Sequence, residues 1–197
     1  MLKPADQRFF DIEQNVRDYI EAREGMDGKF LIEILKKHLK PKSKVLELGM
    51  GDGKDLDILN EIFNATGSDN SKIFLDIYKQ KTPTADLLLL DAVTLKTKRK
   101  FDCIYSNKVL HHLTLEDLKK SLKKQKVLLK NNGILFHTFW HGGKKEQFQD
   151  LNFIHYKIDE LKEITAKDFN LIEIDTYKEM VANDSFYIIL QNPWHFF

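Results

Sequence analysis

The stretch Val45-Leu46-Glu47-Leu48-Gly49-Met50-Gly51-Asp52-Gly53-Lys54, VLELGMGDGK, sets three of the chain's nine glycines at alternate positions directly after an apolar run. Lys44 to Leu48 reads as a buried strand, so the glycines form the turn that follows it. In an open α/β sheet, ligands bind at the carboxyl ends of the strands. Glycine there lets the backbone turn sharply and approach a ligand closely. Two phosphate-binding patterns fail at this turn. A dinucleotide fingerprint counted from Gly49 needs its third glycine at position 54, which is Lys54. A P-loop needs glycine at position 48 and Ser or Thr at 55, where the chain has Leu48 and Asp55.

The segments on either side place this turn in a larger pattern. Phe9, Ile12, Val16 and Tyr19 recur at helical steps, and Gly25 breaks that run. A second helix from about Asp27 carries Phe30, Leu31, Ile34 and Leu35 and stops at Pro41. After the glycines, helical and strand-like segments alternate. Strands are expected at 64–67, 86–90, 101–105 and 134–140, and helices at 56–63, 71–80 and from Thr114. Thr114 and Asp117 form a capping box. A helix at 158–166 and strands at 169–177 and 185–191 close the chain, the last two joined without a helix. This spacing predicts a mostly parallel sheet with helices on both faces and an antiparallel hairpin at one edge. Residues 1–40 lie outside the alternation as a helical cap on a core of residues 41–197, a single domain spanning 1–197.

Composition bounds the function. A chain of 197 residues with 42% hydrophobic and 31% charged side chains can build one sizeable core. A net charge of +1 argues against a dedicated nucleic-acid binder. One cysteine, Cys103, allows no internal disulfide and fits a reducing compartment. The opening MLKPADQRFFDIEQ carries no signal-peptide pattern, and no apolar run approaches a membrane span. The expected setting is cytoplasmic, away from membranes.

The run E-L-G-x-G-x-G resembles the first motif of the class I S-adenosylmethionine-dependent methyltransferases. Further landmarks follow in register: Asp69 within GSDNS, LLLLDAV, FDCIYSNKVLHHL and LKNNGILFHTF. The resemblance covers roughly residues 40–191. It implies a Rossmann-like sheet of order 3-2-1-4-5-7-6 with strand 7 antiparallel, and S-adenosylmethionine as cofactor with S-adenosylhomocysteine as product. It also implies cofactor roles for Glu47, Gly49, Met50 and Gly51 at the amino-acid end, and for Asp69 with Asn70 at the ribose. Asp91 with Ala92 would meet the adenine, and Ser106 with Asn107 the methionine end. A carboxylate suits a vicinal diol because it offers two acceptors. Glu47 lies inside an apolar strand, and a buried carboxylate needs a partner.

Loops after the fourth and fifth strands line the acceptor pocket in proteins that this chain resembles. His112 and His141 are therefore the candidate catalytic residues, and Tyr19, His111, Trp140 and His155 the candidate acceptor contacts. Phe30, Phe148, Phe153 and Tyr156 extend an aromatic wall that suits a small acceptor. Tyr19, shortly before Gly25, is a candidate to close over the cofactor. The metal-binding carboxylates of catechol-type relatives are missing, since the fourth strand ends Tyr-Ser-Asn and the fifth runs into Trp-His-Gly. No metal is expected. The Asn-Pro-Pro-aromatic signature of base methylation is also missing at Ser106-Asn107-Lys108-Val109.

A small-molecule methyltransferase is the leading reading. The alternatives are an RNA or protein methyltransferase using the lysines of 96–100 and 119–130, a nucleotide-binding oxidoreductase, or a non-catalytic cofactor binder. Acceptor identity and oligomeric state are not legible.

Overall fold

The computed structural model describes residues 9–148 and 151–193, the side chain of Phe148 excepted. The expectations for residues 1–8 and for the Phe148 ring lie outside the described residues. Helices α1 (Glu13–Ala22) and α2 (Lys29–Leu35) precede β1 (Lys44–Leu48). There follow α3 (Lys54–Asn60), β2 (Asn64–Asp69), α4 (Lys72–Lys81), β3 (Leu87–Leu89) and β4 (Phe101–Ser106). A 3-10 turn (Leu110–His112) leads to α5 (Leu115–Leu128) and β5 (Leu129–Trp140). The chain continues with β6 (Lys145–Phe148), β7 (Leu151–Ile154), α6 (Ile158–Thr165), β8 (Asn170–Tyr177) and β9 (Ser185–Gln191).

The main sheet has seven strands in the order β3-β2-β1-β4-β5-β9-β8. Strands β1 to β5 pair in parallel, while β9 runs antiparallel to both β5 and β8. With β8 and β9 as its sixth and seventh strands, the sheet has the expected order 3-2-1-4-5-7-6.

Period-two alternation sorts the strand side chains onto two cores. Leu46, Ile104, Leu135, Phe139, Phe186 and Ile188 pack under α5 and α6 with Leu118, Leu122 and Leu161. Val45, Cys103, Tyr105, Phe136, Tyr187 and Ile189 pack on the other face with Leu31, Leu35, Leu56, Leu59 and Tyr78. Thr114 caps α5, its hydroxyl accepting from the Asp117 amide.

Two stretches differ from the expected pattern. Gly142-Gly143 reads as a loop after β5, yet Lys145–Phe148 and Leu151–Ile154 pair beyond it as an antiparallel hairpin. Strands this short carry too little alternation to be read. Strand β5 also begins at Leu129 rather than Ile134. Phe101 pairs with Leu129 and Cys103 with Ile134, so residues 130–133 bulge out of the ladder. No described helix is long and apolar enough to cross a membrane.

Candidate functional site

A cleft opens over the carboxyl ends of β1, β2, β3 and β4. Its floor is the glycine turn, with Gly49, Met50, Gly51 and Asp52, beside Glu47 at the end of β1. The ends of β2 and β3 contribute Asp69, Asn70, Asp91 and Ala92. The end of β4 contributes Asn107, Lys108 and Val109, followed by His112 and Leu113. The cap supplies Phe10, Tyr19 and Arg23, and the β6–β7 hairpin supplies Leu151. Gly49, Gly51 and Gly53 have φ of 64°, 52° and 82°, a left-handed path that side chains resist.

The acidic residues differ in state. The Asp69 carboxylate accepts from the Gly51 amide at 3.0 Å and the Ser71 amide at 2.8 Å, which locks the end of β2 to the glycine turn. Burial raises its pKa from the ordinary aspartate value, against the lowering effect of these backbone bonds. Asp91 accepts from the amides of Val93 and Thr94, at 3.2 and 2.8 Å. Glu47 is 3% exposed, and its Oε2 has no hydrogen-bond partner among the described residues. Burial, then the neighbouring Asp55, Asp69 and Asp52, holds its pKa well above the ordinary value.

Asp55, which sequence reading missed, fastens the cap. Its Oδ1 accepts from the Gly28 amide at 2.6 Å, and its Oδ2 from the Tyr105 hydroxyl at 2.8 Å and Asn107 Nδ2 at 3.1 Å. A Cβ at Gly28 would lie 2.4 Å from that carboxylate, so only glycine fits. Lys54 Nζ donates to the Arg23 carbonyl at 2.6 Å, and Ser71 Oγ to the Phe10 carbonyl at 2.7 Å. Tyr19 packs edge-on against Phe10 and Phe74, with the Arg23 guanidinium 5.6 Å from its ring centre. An aspartate on the buried side of a glycine-led helix was the available signal for Asp55.

The expected residues do not all converge on the cleft. Ser106, His111, Trp140, His141 and His155 are outside its described lining. Alternation turns Ser106 to the α5 face of the sheet. There its hydroxyl is 2.8 Å from His137 Nδ1, and His137 Nε2 is 2.8 Å from Gln125 Oε1. Burial drops the His137 pKa to about 3, so the ring is neutral. Gln125 Oε1 can only accept, so Nε2 donates to it and Nδ1 accepts from Ser106. His141 Nδ1 meets the Asn183 carbonyl at 3.2 Å, with its ring edge-on to Phe186. His155 stacks on Trp140 and sits 3.3 Å from Glu146. Phe153 stacks on His111, and the Tyr156 hydroxyl donates to the Leu113 carbonyl at 2.8 Å. Phe30 is exposed and packs on Tyr177.

Of the two candidate bases, His112 faces the cleft. Its Nδ1 is 2.6 Å from the Asn152 carbonyl, so a neutral ring carries its proton on Nδ1 and its basic electron pair on Nε2. Lys108, also unforeseen, is buried and lines the same cleft. Much of the basic stretch is engaged internally: Lys120 with Asp117, Lys126 with Asp168, and Lys130 with Asp102.

Residues 45–133 match the family model described as methyltransferase domain. A curated relative, the phosphoethanolamine N-methyltransferase of Plasmodium falciparum (isolate 3D7), is 27% identical across 75% of this chain. The chain spans 55% of that relative's length. The N-methyltransferase NodS from Bradyrhizobium japonicum WM9, solved with S-adenosyl-L-homocysteine, superposes with a TM-score of 0.74 at 15% identity. That match covers 98% of this chain and 100% of the other. The Burkholderia thailandensis 1,6-didemethyltoxoflavin-N1-methyltransferase superposes with a TM-score of 0.76 at 17% identity, covering 98% and 92%. At such identities the superpositions speak for the fold alone. The family-model match over residues 45–133 and these superpositions show that the chain carries a methyltransferase-domain match on the fold of S-adenosylmethionine-dependent methyltransferases.

Proposed function

We propose that this chain moves the methyl group of S-adenosylmethionine to a small-molecule acceptor and releases S-adenosylhomocysteine. The catalytic unit is one domain, residues 1–197, with residues 1–40 as its cap, and the lone buried Cys103 suits the cytoplasm. The observation that carries the reading is the Glu47 Oε2 atom at the wall of the glycine turn, buried and without a hydrogen-bond partner among the described residues. It is a buried acceptor that an amino group would satisfy.

The other residues fit the same ligand. A Cβ built on Gly51 would meet no atom within 4 Å, so the backbone there borders open space into which a ligand can press. Asp69 retains lone pairs for the ribose hydroxyls, and Asp91 with the Ala92 backbone borders the adenine position. When bound, S-adenosylmethionine supplies a methyl carbon made electrophilic by its sulfonium. The chain's own residues align the acceptor and exclude water. The Asp55, Lys54 and Ser71 bonds hold the cap over the cleft for that purpose. His112 Nε2 receives the acceptor's proton, the Asn152 carbonyl fixing the tautomer that makes this possible. His141, held off the cleft by Asn183, receives no role.

Calorimetric titration with S-adenosylmethionine, S-adenosylhomocysteine and NAD tests the reading. Micromolar binding of both sulfur ligands is expected, weakened about 100-fold in Asp69→Ala, since two backbone anchors and a ligand contact go together. Heat from NAD alone would overturn the assignment. On an acceptor found by screening, His112→Asn is expected to keep cofactor affinity and lose about 100-fold or more in kcat. An undiminished kcat would remove His112 as the base.

A further inference from the structure

The cleft has two electrostatic halves. Around the glycine turn it carries Glu47, Asp52, Asp55, Asp69 and Asp91. Beyond β4 the lining from residues 107–113 carries Lys108 and His112 and no carboxylate.

Lys108 is a fixed cation. Its Nζ donates to Ser185 Oγ at 2.5 Å and to the Phe139 carbonyl at 3.2 Å, and lies 3.7 Å from the Trp140 ring centre. An ammonium has three N–H donors. The Glu179 carboxylate is 3.9 Å away, close enough for an ion pair and beyond hydrogen-bond reach. Its backbone is left-handed at φ 55°, held there by the amide bond to Thr138 Oγ1 at 2.9 Å. Strain of this kind in a non-glycine residue collects at functional sites.

The second observation is independent. His111 is 1% exposed, and neither of its ring nitrogens has a hydrogen-bond partner among the described residues. The charged groups acting on it are His112, Lys108, His155 and Arg23, all basic. On this side Glu179 and Asp184 face Lys108, and Glu146 faces His155. Asp184 is already committed to the amides of 179, 180 and 181. A buried polar ring without a partner among the described residues is costly unless a ligand completes it.

We propose that the cleft wall carrying Lys108 and His112, with the buried His111 ring 4.0 Å from that of His112, receives an anionic group of the acceptor, a phosphate or a carboxylate. The acceptor is then a small anion, and a purely cationic amine is opposed by Lys108. This rests on the methyltransferase reading and adds the substrate class: a positively charged donor meets the acidic half, and a negatively charged acceptor the basic half.

The test is a nuclear magnetic resonance titration of the full chain at pH 7, with and without S-adenosylhomocysteine. The probes are inorganic phosphate, acetate and tetramethylammonium chloride. Saturable shifts of the His111 and His112 ring signals are expected with phosphate or acetate. The tighter of the two anions tells which group the acceptor bears. Affinity should fall at least tenfold in Lys108→Met and recover within threefold in Lys108→Arg. His111→Phe, which keeps the ring and removes the nitrogens, should lose a similar factor and serves if Lys108→Met does not fold. No saturable anion binding, equal affinity in a folded Lys108→Met, or binding of tetramethylammonium alone would overturn the proposal. The arm without S-adenosylhomocysteine keeps the outcomes separate. If the wild type fails to bind that ligand, the methyltransferase reading falls, while anion binding at 108–112 is still read.

Discussion

Glu47→Gln is expected to raise thermal stability at neutral pH and to weaken cofactor binding in the same molecule. Glu47 is buried, one oxygen has no hydrogen-bond partner among the described residues, and four aspartates stand nearby. Its carboxyl therefore keeps a proton in the folded state to a pH well above the unfolded value of 4.5. Between those two values the folded state binds more protons than the unfolded state. Stability accordingly falls as pH rises through that window, and above the folded pKa a constant penalty remains. Gln carries no such penalty, so its gain is small near pH 4 and largest above the folded pKa. Cofactor binding runs the other way. An incoming ammonium favours the ionised carboxylate, so binding expels a proton and wild-type affinity rises with pH across the window. Gln keeps the shape and loses the charge. A hydrogen bond to a charged group contributes about 1.5–3 kcal/mol, roughly a 10–100-fold loss of affinity. Scanning calorimetry at pH 5 and pH 8, with S-adenosylhomocysteine titrations at the same pH values, checks both limbs. Identical melting at both pH values with undiminished affinity would deny Glu47 the role.

Gly53→Ala is expected to be the most damaging single methyl group in the glycine turn. Gly53 precedes α3 at φ 82°, where an L-residue costs about 1–2 kcal/mol. The added Cβ would also lie 2.3 Å from two carbons of the Tyr78 ring. That ring cannot retreat. It is 2% exposed, and its hydroxyl donates to Asp57 Oδ1 at 2.5 Å. Overpacking adds about 1–3 kcal/mol. The sum, about 2–5 kcal/mol, corresponds to roughly 4–20 °C in Tm for a chain of this size. Thermal melting followed by circular dichroism reads it, and a change under 2 °C would mean that the turn relaxes freely.

The fold was legible because its strongest signals are local. Three glycines after an apolar strand, and aspartates at the ends of two later strands, mark the carboxyl edge of a parallel sheet. The resemblance built on them brought the strand order with it. Less legible were the features made by distant contacts. Ser106 and Asn107 are neighbours in sequence, yet the pleat sends one toward His137 and the other toward Asp55. A one-residue error in placing the strand end exchanges their faces. Asp55 and Lys108 read as ordinary charged residues until Gly28 and Ser185 are brought against them from 27 and 77 positions away. The β6–β7 hairpin escaped because its strands have four residues each. It proves to carry the carbonyl that orients His112.

The position of β9 between β5 and β8 has a consequence for the order in which the protein is made. The acidic half of the cleft, with its glycine turn, is complete in sequence once Ala92 and the first cap residues exist. The basic half is not: Lys108 has no settled place until Ser185 arrives on the last strand. At a synthesis rate of about 5–20 residues per second, the intervening 77 positions take on the order of 4–15 seconds. For that interval the growing chain has the acidic wall of the cleft and lacks the basic one.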